Sequence, residues 1–113
     1  MKVNIIAASI FGGMVALMCF PTYAVDADAA KALAKGNNCF RCHGIDKDKD
    51  GPAWNKISAK FKGDAKAEEK LTHHVTAGDK VKFADGHEEE HKKLETSDKD
   101  AIKNLVDWIL SLQ

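Results

Sequence analysis

After Met18 the chain contains no methionine, and after Pro21 it has only one proline, Pro52. From there onward no thioether is available as a metal ligand and no proline-rich loop can form. Cysteine is scarce as well. Cys19, Cys39 and Cys42 are the only three, so the Cys39/Cys42 pair lacks the second ligand pair that a structural zinc would need. Neither sign of charge prevails. Seventeen basic and 17 acidic side chains are interspersed over 113 residues, which gives no support to nucleic-acid binding. There are no internal repeats or low-complexity tracts. No apolar-polar alternation runs long enough to argue for strands, and the βαβ setting of a thioredoxin-like redox pair is missing.

What is present is Cys39-Phe40-Arg41-Cys42-His43. Two thiols three residues apart, followed at once by an imidazole, form the attachment pattern of a c-type haem. The thiols add across the two vinyl groups of the porphyrin, and the adjacent imidazole reaches the iron from one face. Cys39 and Cys42 are thus the expected anchors of one haem c, and His43 its proximal iron ligand.

Export is the expected context. Lys2 supplies a positive start, Val3 to Phe20 is an almost unbroken apolar run, and Pro21-Thr22-Tyr23-Ala24 ends in a small residue suited to cleavage. Residues 1–24 are read as a signal peptide and 25–113 as one haem domain. An uncleaved anchor is the alternative, because the run is near the lower length limit for a spanning helix. The bulky Met18 before Cys19 argues against a lipid anchor. Removing 24 of 113 residues leaves 89, too few for a large core without help. A buried porphyrin supplies that help.

Helices joined by glycine-marked loops are expected. Asp26 or Asp28 can cap a first helix carrying Ala29, Ala30, Leu33 and Ala34, stopped by Gly36. Gly44 to Gly51 reads as a polar loop, with Gly51-Pro52 as a turn. A short helix follows from Trp54 to Phe61. Asp64 can cap another bearing Ala67, Leu71 and Val75, which ends at Gly78. The last runs from about Asp98 to Leu112, with Ile102, Leu105, Val106, Ile109 and Leu112 on a 3.6-residue period. The Glu88-Glu89-Glu90 run before Lys92 and Lys93 reads as a solvated helix with charge pairs.

Taken together, Cys39, Cys42 and His43, then Gly51-Pro52-Ala53-Trp54, Ala59-Lys60-Phe61 with Gly63-Asp64, Gly78, and Leu105-Val106-Asp107-Trp108-Ile109-Leu110 resemble a small bacterial class I cytochrome c. The resemblance covers essentially all of residues 25–113. It implies an all-α fold of short helices wrapped around one covalent haem, in a periplasmic electron carrier. It makes Pro52, through its carbonyl, the partner of the proximal imidazole, and places Trp54 among the haem-binding residues. Trp108 resembles the aromatic residue that packs the last helix on the first.

Family members normally take their sixth iron ligand from a methionine before the last helix, and here there is none. The corresponding loop offers His87 and His91. Counting from Gly78 places the missing methionine near Glu88, beside His87, whereas counting back from Trp108 places it near His91. Members often carry a histidine three residues past the methionine and a leucine three beyond that. His91 and Leu94 fit that spacing, which leaves His87 as the expected distal ligand and His91 as the alternative. His74 lies on the apolar side of its helix and is expected to pack or to meet a propionate; His73 lies on the polar side.

The expected function is soluble one-electron transfer through a low-spin bis-histidine haem of lower potential than methionine-ligated relatives. The alternative is a haem enzyme or sensor with an open sixth position for a small gas or peroxide. No second motif points to catalysis. The expected partners are redox proteins such as other cytochromes, approached by a monomer that has no stable membrane insertion once the signal is cleaved.

Overall fold

The computed structural model describes residues 12–17 and 24–113. The predicted leader falls largely on residues 1–11 and 18–23, outside the described residues, as does Cys19. Among the described residues no helix is long and apolar enough to cross a membrane.

Among the described residues four α-helices and one small hairpin make up the domain. Helix α1 (Ala27–Gly36) starts where Asp26, in extended backbone, accepts a hydrogen bond from the Ala29 N–H at 3.0 Å. This satisfies one of the donors a first helical turn leaves unpaired. A single 3-10 turn over Cys39–Arg41 follows, entered through Asn38 at φ 57°; asparagine is among the few side chains that tolerate that left-handed backbone. Then come α2 (Trp54–Lys60), α3 (Ala67–Ala77), strands β1 (Lys80–Lys82) and β2 (Glu88–Glu90), and α4 (Lys99–Ser111). Asp98 caps α4 by accepting from the N–H groups of Asp100 and Ala101.

Helix α4 is the hub on which α1, α2 and α3 each pack. Its 3.6-residue stripe of Ile102, Leu105, Val106 and Ile109 is buried, as amphipathic periodicity requires of a core-facing helix. Ala30 and Ala34, one turn apart on α1, are fully buried against it, their small side chains permitting close approach. Asn104 locks the ends together. Its Oδ1 accepts from the Asp26 N–H and its Nδ2 donates to the Asp26 carbonyl, both at 2.8 Å. On the other side Ser58 Oγ donates to the Leu110 carbonyl at 2.6 Å, and Trp54 meets the edge of Trp108 with ring centroids 5.6 Å apart.

Two local expectations change. Asp64 does not cap α3. Its carboxylate accepts from the Lys66 N–H at 2.8 Å and pairs with Lys70 at 2.7 Å, bracing the turn before the helix. The Glu88–Glu90 run is a strand, paired antiparallel with Lys80–Lys82 so that Lys80 faces Glu90 and Lys82 faces Glu88. A reversal at Asp85-Gly86 makes this possible. Gly86 has φ 92°, a backbone that glycine adopts without penalty, and the turn is closed by Phe83 N–H to His87 O and Gly86 N–H to Phe83 O, each 2.9 Å.

Asn104→Ala removes both bonds to Asp26, leaving the Asp26 N–H without a partner and its carbonyl with only the Ala30 N–H at 3.0 Å. It is expected to cost about 1–3 kcal/mol, seen as a lower denaturant midpoint of the haem-loaded protein with the slope unchanged.

Candidate haem-iron site

The 3-10 turn gathers the three motif side chains, with Cys42 N–H and His43 N–H both bonding the Cys39 carbonyl at 3.2 and 3.0 Å. Both thiols are half-buried, and burial pushes the Cys39 thiol above its ordinary pKa. His43 is then fixed from three directions. Its Nδ1 donates to the Pro52 carbonyl at 2.7 Å. A carbonyl can only accept, so the proton sits on Nδ1 and the Nε2 lone pair is left for a metal. Gly51 lies so close beneath the ring that a Cβ there would meet His43 Cε1 at 2.7 Å and Nδ1 at 3.0 Å. On a third side the Trp54 ring stacks at 5.8 Å between centroids.

The loop from Gly44 to Gly51 holds this cradle in shape. The Gly51 N–H bonds Cys42 O at 2.7 Å and the Trp54 N–H bonds Gly44 O at 2.9 Å. Asp48 accepts from the Ala53 N–H at 2.8 Å and pairs with Lys56; the Lys56 bond, then the Ala53 bond, keep its carboxyl below the usual carboxylate range.

On the opposite side stand the loop histidines, and the structure separates them. His87 sits at the turn of the hairpin, exposed, stacked on Phe83 at 4.3 Å and bonded to Asp85, with Glu89 3.3 Å from its other nitrogen. Those carboxylates, Asp85 first, raise its pKa. His91 lies at the base of the hairpin, half-buried, its ring centroid 6.1 Å from that of His43. Its Nδ1 is buried without a hydrogen-bond partner. Burial, followed by His74 and His43, pushes its pKa down to about 4, so the ring is neutral near pH 7, the state in which imidazole binds metals. His74 packs against His91 at 4.0 Å and is likewise lowered, by burial first. His73 is exposed and paired with Asp79 at 2.8 Å.

These residues fit a c-type haem. Beside Cys42 an open cleft of about 680 Å³ is walled by Arg41, Lys49, Phe83, His87 and Lys92, the Pro52 bond at Nδ1 leaves His43 Nε2 free, and the neutral His91 imidazole, with an unpartnered buried Nδ1, lies 6.1 Å from the His43 ring between centroids. Two features were not readable as functional from the sequence alone: Gly51 as a floor for the imidazole, and the contact of His74 with His91. The Gly51-Pro52 neighbourhood was the available signal for the first.

The family Cytochrome c matches residues 27–113. Cytochrome c-551 of Allochromatium vinosum is 34% identical over 91 residues, 80% of this chain and 94% of that protein. Cytochrome c-552 of Nitrosomonas europaea is 36% identical over 87 residues, 77% and 82% of the two. Among solved structures, the class 1 cytochrome MtoD from Sideroxydans lithotrophicus ES-1 superposes with a TM-score of 0.77 at 64% identity, covering 79% of this chain and 98% of that one. Wild-type Nitrosomonas europaea cytochrome c552 gives 0.60 at 29% identity, covering 74% and 99%.

Two outcomes are expected. The His87 ring protons should titrate with a midpoint above that of a free histidine, and Asp85→Asn should lower it. Because the folded pKa is raised, the pair contributes to loop stability below about pH 6.5 and loses that contribution as pH rises through the raised value. Gly51→Ala should push the His43 ring off Pro52 and destabilise the fold by about 1–3 kcal/mol, measured by denaturant unfolding.

Proposed function

The chain belongs to the cytochrome c family, and from that premise we propose that it is an exported one-electron carrier whose haem c is joined to Cys39 and Cys42 and ligated by His43 and His91. The haem supplies a ferric–ferrous couple; the chain's own residues hold, orient and shield it. One observation carries the ligand assignment: the rings of His43 and His91 lie with centroids 6.1 Å apart and planes tilted by 50°. An imidazole nitrogen binds a metal at about 2 Å, so two rings flanking one ion lie about that far apart.

His91 takes the distal role in preference to His87, which lines the cleft but whose two ring nitrogens are engaged by Asp85 and Glu89. Two imidazoles, from His43 and His91, would serve the iron in both oxidation states without a ligand exchange, which suits a carrier better than a small-molecule enzyme. The Pro52 carbonyl makes the His43 ring more electron-donating. Replacing the usual thioether by a second imidazole favours ferric iron further. The potential therefore falls below that of methionine-ligated relatives, within the roughly 0.8 V that axial ligands and surroundings span. Exchange with low-potential multihaem cytochromes or quinol-side donors follows in preference to delivery to a terminal oxidase.

Export to the periplasm rests on Lys2, the apolar run and Ala24, and is supported by a family match that begins at residue 27. The carrier works as a monomer without stable membrane insertion. Its nearly balanced charge makes docking depend on local patches, with moderate weakening by salt.

The ferric protein is expected to be low-spin and to lack the weak far-red band of sulfur-to-iron charge transfer. His91→Ala should convert it to a high-spin or ligand-exchanged species, and His87→Ala should leave it nearly intact. The reverse pattern would return the distal role to His87. Potentiometry at neutral pH should give a midpoint below those of methionine-ligated relatives, and a midpoint as high as theirs would contradict the two-imidazole reading.

A further inference from the structure

The segment that carries His91 is stapled at one end to the last turn of α3 and at the other to Asp79, just past its Gly78 cap. The His91 N–H bonds the Asp79 carbonyl and the Leu94 N–H bonds the Val75 carbonyl, each at 2.9 Å. Between and beyond those staples β1 and β2 pair only with each other and pack on no helix. The hairpin can therefore set where the His91 backbone sits, but it offers no wall against which the ring could be held. One side chain on the helix does. His74 points from α3 into the site and meets the His91 ring at 4.0 Å between centroids with the planes tilted by 42°.

Position 74 shares the apolar side of α3 with Leu71 and Val75, where an aliphatic residue would pack as readily. Because α3 is anchored on α4 and not on the hairpin, the His74 ring is a fixed reference for a ligand mounted on a weakly anchored strap.

We propose that His74 is a positioning residue for the distal ligand, its ring setting the plane of the His91 imidazole and retarding its departure. This rests on the assignment of His91 to the iron. The angle between the planes of two axial imidazoles governs the anisotropy of low-spin ferric iron, so the effect has a signature independent of fold stability. Groups that orient a metal ligand commonly alter its hold on the metal by 10–100-fold.

The test compares wild type, His74→Ala and His74→Phe as haem-loaded proteins, using the electron paramagnetic resonance of the ferric state and the rate of cyanide capture. His74→Ala should stay low-spin with two nitrogen ligands, show shifted and broadened g values, and take up cyanide about tenfold faster. His74→Phe, which keeps a flat ring at the same place, should restore narrow lines and slow capture, and it supplies the measurement if the alanine variant does not accumulate. Wild-type g values and capture rate in His74→Ala would overturn the proposal, as would a phenylalanine variant that behaves like alanine. If His91→Ala leaves the wild-type spectrum unchanged while His74→Ala becomes high-spin, the ligand assignment itself is wrong, an outcome distinct from failure of the positioning role.

Discussion

The hydrogen bond from His43 Nδ1 to the Pro52 carbonyl, 2.7 Å long, settles which nitrogen carries the proton and therefore which one is offered to iron. Much of the proximal side is arranged around that bond. Gly51 keeps the floor beneath the ring empty of side chain, and the Gly51 N–H returns to Cys42 O. Asp48 fastens the loop end to the start of α2 through the Ala53 N–H. Trp54, the first residue of α2, stacks on the imidazole and presents its own ring to the edge of Trp108 on α4. A chain of contacts thus runs from the metal ligand to the hub helix, so the orientation of one imidazole is tied to global packing.

The distal side is built on a different principle. In place of a thioether-bearing loop stands a hairpin whose strands hold three residues each, with lysines opposite glutamates in the register, tied to Val75 on α3 and to Asp79 just past its cap. The His91 backbone is placed by those staples, and its ring lies against His74 in a half-buried site that keeps it neutral. His43 is held by the core; His91, the proposed distal ligand, is held by a strap and a neighbour. Local opening is therefore expected to concentrate on the His91 side, beside a hairpin that packs on no helix.

Much of this was legible in the residues. Cys39, Cys42 and His43 announce their chemistry by spacing, and the stripe on α4 follows from its period, because a 13-residue amphipathic helix leaves little choice of face. Asp26 and Asp98 cap where short acceptors before apolar runs are expected to cap. The hairpin was not legible by periodicity. Its strands are too short to show alternation and are made of lysine and glutamate, residues that favour helices when isolated. Only the Asp85-Gly86 pair signalled a reversal. That omission bears directly on the ligand choice. As a helix, the segment would hold His87 and His91 about 6 Å apart along one face. As a strand it separates them by about 13 Å, one at the exposed turn and the other at the anchored base. Spacing rules transferred from methionine-bearing loops cannot register that change of backbone.

The most direct measurement is a crystal structure of the haem-loaded protein in the ferric state. Continuous density should join the iron to His43 on one face and to His91 on the other, with the Pro52 carbonyl still bonded to His43 Nδ1 and His87 remaining at the hairpin turn beside Asp85. Iron bound on its distal face by His87, by His74 or by a water molecule would contradict the assignment of His91 and the role given to the hairpin.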